Sequence, residues 1–546
     1  MSNNNDMAEG AGEELSKYLN PVMSRFLLNV SKAISQDPGL PHPNPTVSSW
    51  QVPEHPIASI QSPDLPQRTD YAVIGSGITG CSVTKTLLEH RAAADGSHVT
   101  ILEARTLVSG ATGRNGGHLV TPAGHTFGPL ARQHGVETAR QITRFSILNI
   151  ERVMGMVRGM DAELQAECQI RDVRKVMAVA DEETWAAARD SVLDFQKAVP
   201  EHAKYHKIVD KEDVPEVWTS YPNPSHCVRQ MLTGTLLPQR WNIKNASGAV
   251  EHDAGAIWPY RLLTGIYERL LKKCPDRLAI EANTPVLRVE FSPETDRGHP
   301  YLITTSRGTL RAKKVFHCTN AHASHLLPRL AGRIYPFRGT MSVQKPGPRL
   351  PNLGGSRSWS LAHKESLDAE TGLYDTGLYY LQQNPLTGRI WIGNETAYVK
   401  DILTSDDTYV PAEARRALST VLPRLFLEGW GDEETSKVEA IWSGIQGHTA
   451  DGLPVVGRVP GSLLGVGSDD EDGQWIAAGF NGYGMDKCWL TGEALVRMMF
   501  GEDVSAWFPQ AFLVTEERLR GTLTADQTLL KFAQIARPGG ARGEKL

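Results

Sequence analysis

The stretch "GSGITG" at residues 75–80 has the residue types and spacing to hold a dinucleotide. Gly75 permits a tight turn, Gly77 lets the backbone approach a pyrophosphate, and Gly80 allows a helix to pack closely on a strand. Glu103 ends the next apolar run, 23 residues after the last glycine, and can accept hydrogen bonds from ribose hydroxyls. A lone glycine motif is often only a turn, but strand, helix, second strand and acidic residue coincide here. The pattern predicts dinucleotide contacts from Gly75, Gly77, Ile78, Thr79, Gly80, Glu103, Ala104 and Arg105.

A second stretch, "SGATGRNGGHLV" (residues 109–120), follows the second predicted strand, at the end where ligands bind in open α/β sheets. Its glycine backbone can press against a flat ring, and Arg114 and Asn115 offer hydrogen-bond donors. A mobile surface loop is the alternative for this composition. A third stretch, "NGYGMD" (residues 481–486), opens a predicted helix near the other end of the chain. Two distant glycine-rich loops can enclose one flat cofactor.

The elements around these stretches predict a mixed α/β fold. "DYAVIGSG", a helix over residues 78–90 and a strand over 98–104 form a βαβ unit, which implies a parallel sheet. Helices are predicted over residues 137–160 and 181–198 and from Pro259 onward, and strands in "LAIEANTPVLRVEF", "YLITTS" and "KKVFHCTNA". Short alternating runs over residues 335–396 are typical of an antiparallel sheet. This pattern indicates a second domain inserted into the first.

The N-terminal region differs in composition from the rest. Residues 15–34 have apolar side chains at helical spacing, and Pro21 is expected to break or kink the first turns. Residues 38–66 contain eight prolines and predict an extended connector. The predicted boundaries give an extension at 1–67, a discontinuous cofactor domain at 68–160, 245–334 and 440–525, a substrate domain at 161–244 and 335–439, and a tail at 526–546.

Composition and charge limit the classes of partner that the chain is expected to bind. The 57 basic and 62 acidic residues are interspersed, and a net charge of −5 gives no footprint for nucleic acid or an anionic membrane. Six cysteines lie far apart without ligand spacing, so neither disulfides nor a metal site is predicted. The polar, acidic N-terminus is unlike a secretory signal, which favours a soluble cytoplasmic protein. The C-terminal "GEKL" resembles a peroxisomal tripeptide, except that Glu544 replaces its small residue.

Six motifs resemble, in the same order, the FAD-dependent oxidoreductases of the D-amino-acid oxidase superfamily, in the branch of glycine oxidase, sarcosine oxidase and γ-glutamylputrescine oxidase. They are "GSGITG", "SGATGRNGGH", "HCTNAHA", "YPFRG", "WSGIQGHTADGLPVVG" and "AAGFNGYGMDKCWLTGEAL". The resemblance covers roughly residues 68–500. It implies a Rossmann-like, glutathione-reductase-type FAD domain with an inserted antiparallel-sheet substrate domain covering the flavin.

The resemblance also implies further cofactor contacts. The segment 113–117 would line the pyrophosphate and isoalloxazine, the backbone of Val286 would contact adenine, and residues 319–321 would close over the phosphates. Residues 482–485 would surround the pyrimidine edge of the flavin, where a helix N-terminus can stabilise the charge of the reduced ring. The implied set is Thr112, Gly113, Arg114, Asn115, Gly116, Gly117, Val286, Thr319, Asn320, Ala321, Gly482, Tyr483, Gly484 and Met485.

The chain departs from relatives that attach flavin covalently. Sarcosine-oxidase-like members use a cysteine just before the segment matching "GHTADGLPVVG", and residues 442–449 contain none. Dimethylglycine-dehydrogenase-like members use a histidine where Asn115 stands, with His118 three residues later. Non-covalent FAD is therefore predicted, and His118 is the first residue to examine if flavin stays attached.

Asp486 stands where relatives that bind a substrate carboxylate often have a lysine, and Lys487 is beside it. An anion there favours a cationic group over a carboxylate, and so an amine over a simple α-amino acid. The alternative is that Asp486 caps the following helix. Arg338 is a candidate anchor for an anionic substrate, or else a structural bridge.

His448 and Tyr483 are the residues expected nearest the flavin plane. They complete the catalytic candidates, which are His448, Tyr483, Arg338 and Asp486. A group of aromatic residues at strand spacing either walls the site or belongs to the core: Trp359, Tyr379, Tyr380 and Trp391.

The combined pattern favours an FAD-dependent oxidase that converts a small amine or amino acid to an imine by hydride transfer to flavin N5. O2 would re-oxidise the flavin and give H2O2, and the protein would mainly orient the substrate and lower the pKa of its amine. A dehydrogenase using another electron acceptor is the nearest alternative. An NADPH-consuming monooxygenase is disfavoured because no second GxGxxG is evident, and a non-enzymatic scaffold that binds a partner is disfavoured further.

Overall fold

The computed structural model describes residues 20–93, 96–211, 241–244, 246–426, 429–431, 434–465 and 473–537. In chain order its strands are β1 (Arg68–Ile74), β2 (Val99–Leu102), β3 (His118–Leu119), β4 (Arg171–Val179), β5 (His206–Asp210), β6 (Gly248–Ala256), β7 (Leu278–Glu281), β8 (Val286–Phe291), β9 (Tyr301–Thr305), β10 (Gly308–His317), β11 (Ile334–Gln344), β12 (Arg357–Ala362), β13 (Ser366–Asp368), β14 (Leu373–Asp375), β15 (Leu378–Gln383), β16 (Ile390–Asn394), β17 (Thr396–Tyr398), β18 (Val438–Thr449), β19 (Val455–Arg458), β20 (Gln474–Ala478) and β21 (Ala536–Arg537). Its α-helices are Pro21–Ser35, Ile78–Glu89, Ala123–His134, Val136–Arg158, Ala162–Glu167, Glu182–Ala198, Pro259–Lys273, Ala323–Leu326, Val399–Ile402, Ala412–Leu425, Gly461–Leu464, Cys488–Met499, Glu516–Arg520 and Ala525–Ile535.

The first sheet contains the predicted βαβ unit. Its strands run in the order β19, β20, β10, β1, β2 and β7, and all neighbours from β20 to β7 are parallel. The helix Ile78–Glu89 connects β1 to β2, which confirms the predicted unit. Because parallel strands end at the same edge of a sheet, the segments that follow β1, β2, β10 and β20 meet there. These are the segments that carry the glycine-rich motifs.

The second sheet has nine strands, with β18, β11, β16, β15, β12, β4, β6 and β3 in order and β5 beside β6. It is antiparallel except between β12 and β4, so the antiparallel sheet predicted over residues 335–396 is confirmed. No strand is predicted over β4, which lies in the middle of this sheet. β6 and all of β18, which fall within the predicted cofactor domain except for the first residues of β18, also pair in this sheet. Alternation of apolar and polar residues predicts that a segment is a strand, but it does not predict which sheet the strand joins.

A third, four-stranded sheet (β17, β14, β13 and β21) packs near the first helix and the last one. Asn20 caps the helix Pro21–Ser35 by accepting from the Met23 amide, and Pro21 occupies the first turn. Proline is tolerated there because its missing N–H has no partner in a helix, so it starts the helix instead of breaking it. The docked helix is confirmed over its described part. Leu15 and Leu19, Cys227 and the tail beyond residue 537 lie outside the described residues.

Within the described ranges, no helix is long and apolar enough to cross a membrane.

Candidate active site

A cavity of about 490 Å³ lies between the ends of the parallel strands and one face of the nine-stranded sheet. All the predicted cofactor positions line it except Gly80 and Gly113. The polypeptide segments that carry them are 410 residues apart at their extremes, from Gly75 to Met485. The fold brings them together because each follows a parallel strand or faces the edge where those strands end.

The first glycine turn is shaped by backbone packing. Gly75 has φ +102°, and a Cβ there would lie 2.7 Å from the Cys318 carbonyl oxygen. A Cβ on Gly80 would lie 2.0 Å from the Gly75 carbonyl oxygen, so Gly80 serves helix–strand packing and not the cavity. Gly77 is the N-cap of the helix Ile78–Glu89 and supplies no side-chain cap. The Ile78 amide donates to the Thr112 hydroxyl at 3.0 Å, and the helix N-terminus lines the cavity, which is an environment suited to phosphate.

Glu103 is held in place by its neighbours. One carboxylate oxygen accepts from the amide (3.0 Å) and hydroxyl (2.7 Å) of Ser76, and the other accepts from the Arg105 amide (3.0 Å). A carboxylate has about four acceptor sites, so capacity for ligand hydroxyls is left. Arg105 itself pairs with Asp407 at 2.9 Å. Glu103 thus presents an oriented acceptor at the carboxyl end of β2.

The loop over residues 109–117 is fixed by the Pro-rich extension. The Ser48 hydroxyl donates to the Gly113 carbonyl at 2.8 Å, and the Trp50 indole N–H donates to the Asn115 carbonyl at 2.6 Å. Trp50 is buried and stacks on Trp391 of β16 with ring centroids 5.2 Å apart. The extension is therefore part of the site's framework, and the alternative of a mobile surface loop does not describe residues 109–117.

The side chains of this loop bind protein groups. Arg114 is buried and donates to the carbonyls of Ser109 (2.9 Å) and Ser443 (2.8 Å). The Asn115 side chain accepts from the Gly117 amide at 2.8 Å and donates to the Thr112 carbonyl. Arg114 and Asn115 both line the cavity, and these hydrogen bonds fix their side chains. Their role is to fix the loop, and its backbone is what faces the cavity.

The loop touches the second sheet directly. The Gln382 amide donates to the Gly116 carbonyl at 2.6 Å, and a Cβ on Gly116 would lie 3.0 Å from the ring of Tyr380. Of the four aromatic residues singled out, Tyr380 lines the cavity, whereas Trp359 and Tyr379 lie in a separate core with Phe426. Alternation along β12 and β15 puts neighbouring residues on opposite faces, which decides which aromatic ring meets the site.

The last glycine-rich turn packs on β18. Asn320 accepts from the Gly479 amide at 3.0 Å, and a Cβ on Gly482 would lie 2.7 Å from the side-chain oxygen of Gln446. The following helix begins at Cys488, with Lys487 as its N-cap. Burial raises the pKa of Tyr483, which keeps the hydroxyl protonated. The turn thus places Tyr483 and Gln446 on the same part of the cavity wall.

Asp486 has partners within the protein. Its carboxylate accepts from the Lys487 ammonium at 2.7 Å and from the hydroxyl of Ser146 on the helix Val136–Arg158. It does not cap the helix that follows, in which the Leu490 amide of the first turn donates to the Asn149 side chain at 2.9 Å. A lysine has neutralised the charge that was expected to select a cationic substrate, so that argument for an amine no longer stands.

Glu395 is a residue that the sequence pattern did not single out. It follows β16, is 8% exposed and lines the cavity. One carboxylate oxygen accepts from the Tyr380 hydroxyl (2.9 Å) and from the Gln446 amide (3.0 Å), and the other lies 3.4 Å from the Thr376 hydroxyl. No cationic side chain of the described chain pairs with it. Burial raises the pKa of Glu395 to about 7, although the Tyr380 and Gln446 hydrogen bonds lower it. A charged residue at the end of the apolar run "IWIGN" was the available signal.

His448 lies next to this carboxylate. Its Nε2 is 2.9 Å from the Gln446 side-chain oxygen, and its ring stacks on Phe337 with centroids 4.2 Å apart. Burial holds the pKa of His448 well below its usual value, so the imidazole is neutral at neutral pH. His448 therefore orients Gln446, which in turn donates to Glu395.

Arg338 lies on the other face of β11. It is buried, donates to the Asp406 carbonyl at 2.9 Å, and its guanidinium carbon lies 4.0 Å from the centroid of the Tyr409 ring. It does not line the cavity, whereas its neighbours Phe337 and Gly339 do. Arg338 is therefore a structural bridge, which was one of the two expectations for it.

The chemistry of the cavity suits FAD. The N-terminus of the helix Ile78–Glu89 and the Glu103 carboxylate provide the dinucleotide ends of the site. The buried Thr319 hydroxyl, which lines the cavity after β10, has no hydrogen-bond partner among the described residues. An unpartnered buried hydroxyl is costly unless a ligand satisfies it. The residues present thus fit a flavin dinucleotide.

This combination of a parallel sheet with a glycine turn and a cavity closed by a second sheet is that of a dinucleotide-dependent oxidoreductase. The chain belongs to the FAD dependent oxidoreductase (DAO) family, whose model matches residues 70–498. Its cofactor is FAD. The family assignment agrees with the resemblance read from the six sequence motifs.

Two relatives are similar to the chain in sequence. The chain is 26% identical over 271 residues to the gamma-glutamylputrescine oxidoreductase of Escherichia coli, an alignment covering 49% of this chain and 53% of the relative. It is 23% identical to the probable oxidoreductase OrdL of Rhizobium meliloti, over 79% of this chain and 85% of the relative. The chain thus spans about half the length of the first relative.

Solved structures show the same fold. Glycine oxidase from Geobacillus kaustophilus superposes with a TM-score of 0.56 at 19% identity, covering 82% of this chain and 99% of the oxidase. L-amino acid deaminase from Proteus vulgaris superposes with a TM-score of 0.54 at 16% identity, covering 83% of this chain and 99% of the deaminase. At these identities the likeness establishes the fold.

Proposed function

We propose that this protein oxidises the C–N bond of an amine to an imine and that the buried carboxylate of Glu395 receives the ammonium proton. The observation that carries the proposal is that Glu395 lines the cavity with no cationic partner among the described residues. A buried carboxylate of this kind binds an ammonium group well, because the cation replaces lost hydration. An amine also agrees with the name of the Escherichia coli relative, a gamma-glutamylputrescine oxidoreductase.

The chain's own residues can perform the proton step. An alkyl ammonium has no free electron pair on nitrogen, so it must lose a proton before the C–N bond can be oxidised. Glu395, whose pKa burial raises to about 7, is matched to accept that proton near neutral pH. Tyr380 and Gln446 hold one carboxylate oxygen by hydrogen bonds of 2.9 and 3.0 Å, and the other oxygen, 3.4 Å from the Thr376 hydroxyl, keeps an acceptor site for the proton. FAD, when bound, supplies the two-electron acceptor for the oxidation.

The sheet face and the last glycine turn would orient the substrate. Tyr380 is packed against Gly116 of one glycine loop, and Gln446 against Gly482 of the other. Both donors to Glu395 therefore rest on the two loops that line the cofactor end of the cavity. Moving either loop would move the carboxylate relative to the cofactor. Holding a catalytic group at a fixed position relative to the reacting atoms contributes much of the rate enhancement that orientation provides.

O2 is the proposed final acceptor, with H2O2 as its product. Anaerobic mixing of the holoenzyme with amines, N-methyl amines and amino acids tests the proposed oxidation of an amine. Bleaching of the flavin absorbance reports oxidation of the substrate without any assumption about the final electron acceptor. Bleaching by primary or secondary amines is expected. Failure of every compound in the panel to bleach the flavin would contradict an amine-oxidising function.

Mixing the reduced enzyme with air separates the two oxidoreductase types. Rapid re-oxidation with stoichiometric H2O2 is expected of an oxidase. Slow re-oxidation in air together with fast re-oxidation by an artificial electron acceptor would indicate a dehydrogenase. Bleaching by NADPH would instead support a monooxygenase.

A further inference from the structure

Lys175 is a buried cation in the wall of the cavity. It lies on β4 and is 5% exposed. Its ammonium donates to the Trp359 carbonyl at 2.9 Å and to the Ser360 hydroxyl. Three N–H groups are available on a lysine, so one donor is left for the cavity. No carboxylate of the described chain lies within ion-pair distance of it.

The groups around Lys175 do not supply a negative charge. His252 is its direct neighbour across the β4–β6 pair, and His118 and His125 line the same part of the cavity. Burial lowers the pKa of His125 to about 4 and that of His252 to about 3, so both are neutral at neutral pH. The pKa of His118 is likewise held well below its usual value by burial. These neutral imidazoles can donate or accept hydrogen bonds without repelling an anion.

An uncompensated ammonium in a buried site is unfavourable. Burial lowers the pKa of Lys175 to about 7, with no opposing contribution from an acid. A bound anion would restore the charge balance and satisfy the third N–H. A single positive charge matches a carboxylate better than a phosphate dianion. The wall formed by Lys175, Ser360, His118, His125 and His252 is therefore built for one monoanionic group.

We propose that Lys175 and its neighbours form an anion subsite that binds a carboxylate carried by the amine substrate itself. The proposal rests on the proposed function, because Glu395 is taken to hold the reacting amine. It assigns the substrate to the class of amines that bear an acidic group several bonds from the reacting nitrogen.

The distance between the Lys175 ammonium and the Glu395 carboxylate determines which amines belong to this class. Lys175 binds Ser360 on β12, Ser360 pairs with Tyr380 on β15, and Glu395 follows the next strand, β16. Two strand spacings put the ammonium and the carboxylate on the order of 10 Å apart. The amine and carboxylate of a simple α-amino acid share one carbon atom, so they cannot reach both residues. A simple α-amino acid is therefore not expected to bridge the two residues.

Matched substrates test the subsite. We suggest ω-amino carboxylates with four to eight chain atoms, each compared with its ω-amino carboxamide, which has the same shape and no charge. The quantity measured is the ratio of kcat/KM for acid over amide, in the wild type, in Lys175→Met and in Lys345→Met. Lys345 is an exposed lysine next to β11, so its variant controls for the loss of a charge.

The wild type is expected to prefer the acid by about 10- to 100-fold at the best chain length, from the usual strength of hydrogen bonds to charged groups. Lys175→Met should reduce the ratio to within about three-fold, and Lys345→Met should leave the ratio as in the wild type. A wild-type ratio near one, or a preference that persists in Lys175→Met, would overturn the subsite while leaving amine oxidation intact. If no amine bleaches the flavin of the wild type, both proposals fall.

A wild-type measurement covers the case in which Lys175→Met does not fold. Alkyl carboxylates without an amine should inhibit competitively, with inhibition constants at least 10-fold lower than those of the matching amides. Equal inhibition by acids and amides would overturn the subsite without the use of any variant.

Discussion

The indole N–H of Trp50 donates a 2.6 Å hydrogen bond to the backbone carbonyl of Asn115. Trp50 belongs to the Pro-rich extension and Asn115 to the glycine loop that lines the cavity, so the contact ties a segment outside the matched family region to the cofactor site. The Trp50 carbonyl also accepts from the Trp258 indole at 2.6 Å. The Pro-rich extension thus helps to fix the glycine loop in place.

Replacement of Trp50 by phenylalanine is expected to weaken FAD binding about five-fold. The substitution keeps an aromatic ring but removes the donor to Asn115, and a net hydrogen bond contributes about 1 kcal/mol. Equilibrium dialysis of the apoprotein with FAD measures the change. Trp359→Phe is the matched control, because the buried Trp359 indole N–H has no hydrogen-bond partner in the described part of the chain and its ring lies in a separate core. An equal loss of affinity in both variants would argue against the loop contact.

Glu395→Gln is expected to lower kcat/KM for amines by about 100-fold, which is a typical contribution of a general base. In the wild type kcat/KM should rise with pH through about 7, because only the ionised carboxylate accepts a proton and the pKa of Glu395 is about 7. The variant should lose that limb of the profile. A wild-type limb retained in the variant would assign the titration to another group.

Protein stability gives an independent readout of the same carboxyl group. Its pKa is about 7 in the folded protein against an ordinary value of 4.5, so between these values the folded state holds a proton that the unfolded state has released. The free energy of unfolding therefore falls as pH rises from about 4.5 to 7. Glu395→Gln should remove this decrease and raise Tm above pH 7 relative to the wild type.

Tyr380→Phe is expected to shift the ascending limb of the kcat/KM profile upward by about one pH unit. The Tyr380 hydroxyl donates to the ionised carboxylate of Glu395 and lowers its pKa, so removal of that donor raises it. The pH dependence of kcat/KM over pH 5–10 measures the shift. Tyr379→Phe is the control, since this neighbour points to the opposite face of β15. A downward shift in Tyr380→Phe would contradict the hydrogen-bond assignment.

Arg338→Met is expected to destabilise the protein by roughly 1–3 kcal/mol, because it removes a buried side chain that donates to the part-buried Asp406 carbonyl. Since Arg338 lies on the face of β11 away from the cavity, KM for amines should stay within about two-fold of the wild type. Urea denaturation and steady-state kinetics provide the two measurements. A KM raised more than 10-fold with stability unchanged would restore Arg338 as a substrate anchor.

Acid precipitation is expected to release all the flavin into the supernatant. The cysteines that line the cavity within the described ranges are Cys318 and Cys488, and burial raises the pKa of both, to about 12 for Cys488, so neither is a reactive thiolate. The Nε2 of His118 is already engaged with the Ser358 hydroxyl at 2.8 Å. Yellow protein in the pellet would contradict non-covalent binding, and loss of the colour in His118→Ala would then locate the linkage.

Much of the fold was predictable from short-range patterns. The helices Ile78–Glu89 and Pro259–Lys273 and the strands on either side of the first glycine motif follow from apolar periodicity and glycine placement. β4 was missed, although Lys175 in its middle faces the cavity. The run "RDVRKVMAV" mixes charged and apolar residues because one face of the strand lines a site and the other packs on a core.

Sequence by itself determined the cofactor end of this protein. The glycines of the first motif, the loop at 109–117 and the last turn carry their function in the backbone, and a missing side chain is visible in a sequence. Only the tertiary structure decided the substrate end. Lys175, Tyr380 and Gln446 lie on three strands of the nine-stranded sheet and Glu395 follows a fourth, and their ordinary residue types acquire chemistry from burial and from partners across the sheet. Tertiary structure also neutralised Asp486 with Lys487 and turned Arg338 away from the cavity, because strand alternation and pairing decide which charges meet.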